Sequence, residues 1–180
     1  MKKDGIGGGN TQTGIHFENK TDLLTFLNEK VEGYSVKKVK IDAEILYNNK
    51  VVAQSFRKHQ LYKFLESKGI DWMKHLSKKL LPDDAIYVIK ENALFIIEVK
   101  YQQVEGSVDE KLQTCDFKLK QYKKLFSELN YEVEYIYVLS DWFKYEKYKD
   151  VLDYIISVNC KYYFEYLPFH EIGLPVPGRN

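Results

Sequence analysis

The chain has 180 residues and nearly balanced charge, with 27 basic and 26 acidic side chains and a formal net charge of +1. This length favours one domain, over residues 1–180, that is large enough to bury a core. The charge balance does not by itself indicate that the protein binds nucleic acid, but a basic face can coexist with an acidic remainder. Cys115 and Cys160 are too few for a disulfide framework or a Cys-rich zinc site.

Targeting signals are not evident in the sequence. No apolar run approaches the roughly 20 residues of a membrane span. Residues 1–5 lack the apolar segment of a signal peptide. We therefore expect a cytoplasmic protein that does not interact with membranes.

The N-terminal region is predicted to be a flexible, glycine-rich segment (residues 1–12) followed by a helix over residues 15–29. The segment is either a disordered start or a loop whose bare backbone can approach a phosphate chain closely. Glu18 lies on the predicted helix. A solvated surface carboxylate is the ordinary role of such a residue.

The next part of the chain is predicted to contain two strands and two helices. Strands over residues 36–47 and 50–54 flank Asn48-Asn49, a common turn pair. Helices are expected over residues 54–68 and 71–80. Their lysines and histidines form either a solvated face or a set of phosphate contacts, and the sequence does not separate the two.

A β-hairpin is predicted in the middle of the chain, where apolar residues 85–89 and 94–97 flank a polar Lys-Glu-Asn turn. Asp83 and Asp84 precede the first strand, and Glu98 and Lys100 end the second. Because a strand alternates its faces, Glu98 and Lys100 point the same way. Two carboxylates and one ammonium group are expected to meet at the end of a sheet.

These residue types suit chemistry on a phosphodiester. Two carboxylates can bind a hard divalent cation that also takes a phosphate oxygen as a ligand. Such a cation polarises the phosphate and lowers the pKa of a bound water. A neighbouring lysine can orient that water or stabilise developing negative charge.

The C-terminal half is predicted to alternate helices and strands. A capping box at Ser107 and Glu110 opens a helix of about five to six turns, whose polar face carries Lys111 and Lys118. A strand over 133–140, a helix over 142–158, a strand over 161–167 and an irregular tail over 168–180 follow. The order predicts an α/β fold with a mixed central β-sheet flanked by helices.

Three stretches resemble the PD-(D/E)XK nucleases, most closely type II restriction endonucleases. They are residues 9–18, the hairpin from Pro82-Asp83 to Glu98-Val99-Lys100, and residues 103–111. The resemblance implies a restriction-endonuclease-like core with Asp83 and Glu98 as metal ligands and Lys100 orienting the attacking water. Asp83 is preferred over Asp84 only because the motif places the ligand directly after proline.

The resemblance also assigns residues outside the hairpin. A first-helix glutamate often reaches the metal site in such enzymes, which makes Glu18 an assisting catalytic residue. Segments at equivalent places lie near DNA in the family. The candidate DNA-binding residues are Asn10, Thr11, Gln103, Ser107, Lys111 and Lys118.

The expected function is Mg²⁺-dependent hydrolysis of double-stranded DNA by a sequence-specific type II restriction enzyme. A homodimer is expected, because two related active sites most simply cut both strands of a symmetric site. The alternatives are a structure-selective repair or junction-resolving nuclease of the same fold, and a DNA-binding module without catalysis.

Overall fold

The computed structural model describes residues 14–16, 22–102 and 108–178. Its helices are α1 (Leu23–Lys30), α2 (Gln60–Ser67), α3 (Val108–Leu112), α4 (Cys115–Leu125) and α5 (Lys149–Ser157). Its strands are β1 (Gly14–His16), β2 (Tyr34–Lys38), β3 (Ala43–Tyr47), β4 (Lys50–Phe56), β5 (Asp84–Val88), β6 (Ala93–Lys100), β7 (Glu132–Leu139), β8 (Lys161–Phe164) and β9 (Tyr166–Pro168).

A seven-stranded sheet forms the centre of the fold, with β2 to β8 in chain order. Strands β2 to β6 are antiparallel neighbours, whereas β6–β7 and β7–β8 are parallel pairs. Parallel neighbours need a crossover connection, and α4 and α5 lie in the two crossovers here. The prediction of an α/β fold with a mixed, helix-flanked sheet is confirmed.

Each face of the sheet has its own hydrophobic core. On one side, which we call the α4 face, α2, α4 and α5 pack against residues such as Leu94, Ile96 and Tyr135. On the other side, the α1 face, α1 packs against Ile86 and Ile97 together with β1, β9 and buried apolar residues of the C-terminal segment. The sheet is therefore covered on both faces, which explains the continuous apolar runs of β6 and β7.

The N-terminal helix begins later than predicted. Residues 14–16 form a strand paired with β9, and α1 begins at Leu23. Asp22 sets this start, because its Oδ1 accepts hydrogen bonds from the backbone N–H groups of Leu24 (2.8 Å) and Thr25 (3.2 Å). The expected start at residue 15 was therefore wrong.

Two predicted elements between residues 36 and 68 have different bounds. The strand over 36–47 is divided into β2 and β3 by a tight turn, in which Val39 N–H donates to Asp42 C=O at 3.1 Å. The Asn48-Asn49 turn is confirmed, with φ values of 48° and 62°. The predicted helix over 54–68 begins only at Gln60, because β4 continues to Phe56.

Four further predicted elements are shorter or broken. The helix over 71–80 is a single 3₁₀ turn at Trp72–Lys74, and the long helix after Ser107 is divided between α3 and α4. The helix over 142–158 is regular only over α5, and the last strand breaks at Glu165, which has a φ of 55°. By contrast, β7 closely matches the predicted strand over 133–140.

Residues 169–178 are irregular as predicted for the tail over 168–180, apart from a 3₁₀ turn at Phe169–Ile172, whereas Pro168 ends β9; this segment buries Phe169, Ile172 and Leu174. Among the helices of the described ranges, none combines the length and apolar character needed to span a bilayer.

Candidate active site

The position of Glu98 follows from strand alternation along β6. Leu94 and Ile96 belong to the core on the α4 face, whereas Phe95 and Ile97 belong to the core on the α1 face. Glu98 continues the α4 face because side chains two residues apart point the same way. A carboxylate is thereby buried at the end of an otherwise apolar row, where it needs charged partners.

Lys100 lies between the two predicted metal ligands. Its Nζ is 2.8 Å from Glu98 Oε2 and 4.0 Å from Asp83 Oδ2. Asp83 Oδ2 also accepts a hydrogen bond from the Val99 N–H at 3.3 Å. The structure thus brings together Asp83, Glu98 and Lys100, the three hairpin residues singled out in the sequence.

The register of the hairpin explains why Asp83 reaches this group. Ala85 pairs with Ile96 and Asp84 pairs with Ile97 across the two strands. Directly paired residues share a face, so Asp84 belongs to the α1 face, and the residue before it lies on the α4 face. Asp83 is that residue, and its carboxylate is on the same side as Glu98.

Asp84 has a different environment. It is buried, and its Oδ1 accepts a hydrogen bond from Arg57 Nε at 2.8 Å. Arg57 Nη1 also lies 2.5 Å from Asp22 Oδ2, which ties the start of α1 to β4 and β5. Burial raises the pKa of Asp84 to about 6, although Arg57 opposes this rise. These contacts give Asp84 a structural role on the α1 face.

A second lysine contacts Glu98 from helix α4. Lys118 Nζ lies 2.8 Å from Glu98 Oε1 and 3.0 Å from Oε2. The sequence placed Lys118 on the polar face of this helix, and that placement was wrong. Lys118 is three residues from Cys115 and four from Tyr122, both of which are core residues. This spacing puts it beside the apolar stripe, where its long side chain reaches across the sheet.

The two lysines determine the ionisation of Glu98. Burial alone would raise the pKa of this carboxyl, because a low-dielectric surrounding disfavours its charged form. The charge of Lys100, with hydrogen bonds from Lys100 and Lys118, outweighs burial and holds the pKa of Glu98 below its usual value. Glu98 is therefore a carboxylate near neutral pH.

Three buried tyrosines form the wall of the site on the α4 face: Tyr122, Tyr135 and Tyr137. Burial, followed by the charge of Glu98, raises the pKa of each of these phenols well above its usual value. The phenols consequently stay neutral. They provide a weakly polar surrounding in which the charges of Glu98 and the lysines interact strongly.

The carboxylates can be tested against the needs of a divalent cation. Within the described ranges there is no group of three or more His, Cys, Asp or Glu side chains suited to holding a metal. Mg²⁺ commonly binds through only one or two carboxylates and completes its shell with water and substrate phosphate. Asp83 and Glu98 supply two carboxylates on one face, so the pair fits Mg²⁺, which would compete with Lys100 and Lys118 for Glu98.

The other predicted site residues either lie outside the described ranges or do not join the hairpin group. Glu18, Asn10, Thr11, Gln103 and Ser107 lie outside the described residues. Lys111 is exposed, and its backbone carbonyl accepts hydrogen bonds from Thr114 Oγ1 at 2.7 Å and Tyr137 OH at 3.2 Å. The structure does not bring the Lys111 side chain to the hairpin group.

Sequence reasoning missed the roles of Lys118 and Arg57. The helical spacing of Lys118 relative to Cys115 and Tyr122 was a usable signal, because it placed a lysine at the border of the buried stripe. Nothing local marked Arg57 as a partner of Asp84, since the contact joins residues 27 positions apart.

The side chains of the site form a compact, charged group at one end of the hairpin. Comparisons of the chain with protein-family models, with curated proteins and with solved structures gave no match. The chemistry of Asp83, Glu98, Lys100 and Lys118 is therefore the basis on which a function is proposed below.

Proposed function

We propose that the protein is a Mg²⁺-dependent endodeoxyribonuclease of the PD-(D/E)XK type that hydrolyses double-stranded DNA, and that it is a homodimeric, sequence-specific restriction enzyme. One observation carries the proposal: Lys100 Nζ lies between Glu98 Oε2 at 2.8 Å and Asp83 Oδ2 at 4.0 Å. Glu98 and Lys100 lie at the end of β6, and Asp83 directly precedes β5, so the three residues of the motif meet on one face of the sheet.

The order of elements supports the same assignment. Strands β4, β5 and β6 are antiparallel neighbours, and the chain then passes through α4 to β7, which is parallel to β6. Helix α1 precedes this unit. Helix, three strands, helix and strand is the order that the resemblance to PD-(D/E)XK nucleases implies, and here β2 and β3 follow α1 and α2 lies between β4 and β5.

Each residue has a role that its chemistry allows. Asp83 and Glu98 would hold Mg²⁺, which when bound polarises a phosphate oxygen and lowers the pKa of a bound water. Lys100 is a hydrogen-bond donor beside both carboxylates. It can orient the attacking water and stabilise negative charge that develops on the phosphate.

The proposed reaction is a hydrolysis. The oxygen of one water forms a new bond to phosphorus while one ester P–O bond breaks. One proton of that water ends on the leaving oxygen, so the products are a phosphomonoester end and a free hydroxyl. No oxidant or reductant is needed.

The test is digestion of a sequenced plasmid with and without Mg²⁺, followed by mapping of the ends. We expect discrete fragments from the wild type, and loss of cleavage in E98A and K100A with DNA binding retained. K90A is the matched control, because Lys90 is exposed at the turn of the same hairpin. Retained cleavage in both E98A and K100A would overturn the assignment.

The digest also separates the alternatives. A smear of fragments, or cleavage only of branched DNA, would indicate a nuclease that reads DNA shape. Binding without Mg²⁺-dependent cleavage would indicate a DNA-binding module that lacks catalysis.

A further inference from the structure

Lys118 is a charged residue of the site to which the proposed mechanism assigns no task. Its Nζ lies within 2.8 Å of Oε1 and 3.0 Å of Oε2 of Glu98, and Lys100 occupies Oε2 at 2.8 Å. Both oxygens of the carboxylate that would hold a cation are thus already engaged by ammonium groups.

The presence of Lys118 changes the formal charge of the site. Asp83 and Glu98 carry two negative charges, and Lys100 and Lys118 carry two positive charges, so the four side chains are neutral together. Without Lys118 the set would be anionic and would attract a dication more strongly. Oxygen sites bind divalent cations with an affinity that depends on the number of charged ligands.

The location of Lys118 makes this contribution larger than that of a surface lysine. The Glu98 side chain is 8% exposed and that of Lys118 is 26% exposed. Charges that are partly removed from water are screened less than exposed charges and interact more strongly. Lys120 on the same helix gives a contrast, because its ion pair with Asp116 lies on the outer surface.

We propose that Lys118 is a positioning residue that competes with the divalent cation for Glu98; this rests on the proposed function. In the metal-free protein its ammonium group holds Glu98. A cation that binds Glu98 displaces Lys118, and the released ammonium group is then available to an anionic DNA phosphate.

This exchange couples the cation to DNA. In the free protein the cation must displace a lysine whose ion-pair partner among the described residues is Glu98. When DNA is present, its phosphate supplies a ligand for the cation and a partner for Lys118. Each ligand therefore increases the affinity for the other, as thermodynamic linkage requires.

The experiment is a calorimetric titration of DNA-free protein with Ca²⁺, comparing wild type, K118M and K120M at the same pH and salt concentration. Methionine keeps an apolar stem of similar length and removes the charge. We expect K118M to bind Ca²⁺ about tenfold more tightly than wild type, within the range typical of coupling between two bound charges. K120M should match the wild type. Equal or weaker Ca²⁺ binding by K118M would overturn the proposal.

A second measurement needs no variant, so it remains decisive if K118M does not fold. The Ca²⁺ affinity of the wild type is measured with and without plasmid DNA fragments, and intact DNA is verified on a gel. Tighter Ca²⁺ binding in the presence of DNA supports the exchange, and equal affinities contradict it.

Failure of this inference can be distinguished from failure of the proposed function. A wild type that cleaves DNA while K118M and wild type bind Ca²⁺ equally well refutes only the role of Lys118. A wild type that binds Ca²⁺ more weakly than K118M but cleaves no DNA refutes the nuclease assignment and leaves the competition between lysine and cation standing.

Discussion

Asp83 and Asp84 are neighbours in the sequence, but their carboxylates lie on opposite faces of the central sheet. Asp83 Oδ2 is 4.0 Å from Lys100 Nζ, whereas Asp84 Oδ1 is 2.8 Å from Arg57 Nε. Pairing of Asp84 with Ile97 fixes this division, because it assigns Asp84 to the α1 face. Two adjacent acids can therefore have separate tasks, one in the site and one in the fold.

Substitution of Asp83 should affect activity and leave stability nearly unchanged. We expect D83N to abolish Mg²⁺-dependent plasmid cleavage, because it removes one of two proposed ligands. The Asp83 side chain is 52% exposed and its lysine contact is long. The free energy of unfolding should therefore change by less than about 1 kcal/mol, as for exposed ion pairs. Cleavage assays and urea denaturation measure the two effects.

Substitution of Asp84 is the matched comparison. D84A removes the half-buried hydrogen bond between Arg57 and Asp84 and leaves Arg57 with its contact to Asp22. We expect a loss of about 2 kcal/mol in the free energy of unfolding. Folded D84A should still cleave DNA. If D84A were inactive but fully stable while D83N remained active, Asp84 would be the residue of the site and the assignment of Asp83 would be wrong.

Local patterns were sufficient to predict the elements on which the site depends. The hairpin was predictable because two apolar runs flank a polar turn, and the observed strands are β5 and β6. Alternation along β6 predicts that Glu98 and Lys100 share one face, and Lys100 Nζ lies 2.8 Å from Glu98 Oε2. The apolar repeat from Leu112 to Phe126 identified a helix that packs on the core, although α3 and α4 divide it.

Some residue roles and element bounds depend on tertiary contacts that local sequence patterns do not contain. Choosing between Asp83 and Asp84 required the hairpin register, because a shift of one residue reverses every side chain. The start of α2 was misplaced because β4 gains pairing with β5 up to Phe56, which outweighs local helix propensity. The spacing of Lys118 could have placed it beside the apolar stripe, but its partner could not be predicted, because Glu98 lies 20 residues away on another element.

The loop that leads into α2 should contact DNA if the proposed function holds. Lys58 N–H donates a hydrogen bond to Pro82 C=O at 3.4 Å, so this exposed lysine lies beside the residue that precedes Asp83. We expect K58E to weaken DNA binding in the absence of Mg²⁺ and to make the affinity depend less steeply on salt concentration, because one fewer phosphate contact releases fewer counterions. Fluorescence anisotropy at several salt concentrations measures both effects.

Lys90 provides the control for this charge reversal. Its side chain is 86% exposed, and it lies in the turn at the opposite end of the hairpin from Asp83 and Lys100. K90E changes the net charge as much as K58E and should leave DNA affinity close to that of the wild type. Equal weakening by both variants would indicate a nonspecific effect of net charge and would remove Lys58 from the DNA-binding surface.

Glu98 should make stability dependent on pH in the absence of divalent cations. Burial opposes ionisation of Glu98, but Lys100 and Lys118 outweigh it and hold its pKa below the ordinary 4.5. The ionised carboxylate therefore stabilises the folded state fully above pH 4.5, and this contribution is lost as the pH falls through the lower, folded-state pKa. We expect the stability difference between wild type and E98Q to shrink on acidification below pH 4.5, as measured by urea denaturation in EDTA.

Asp84 makes stability change with pH in the opposite direction to Glu98. Comparison of wild type with E98Q separates the two effects, because Asp84 is present in both proteins. Its pKa is raised by burial from 3.8 to about 6, so its contribution weakens as the pH rises through that interval. The groups that shift this pKa are Arg57, Asp22 and Asp83. Glu98 is not one of these main causes and lies on the opposite face of the sheet, so we expect the Asp84 contribution to be nearly equal in wild type and E98Q and to cancel largely in their difference. A difference that stays constant or grows below pH 4.5 would show that the two lysines do not hold Glu98 in its ionised form.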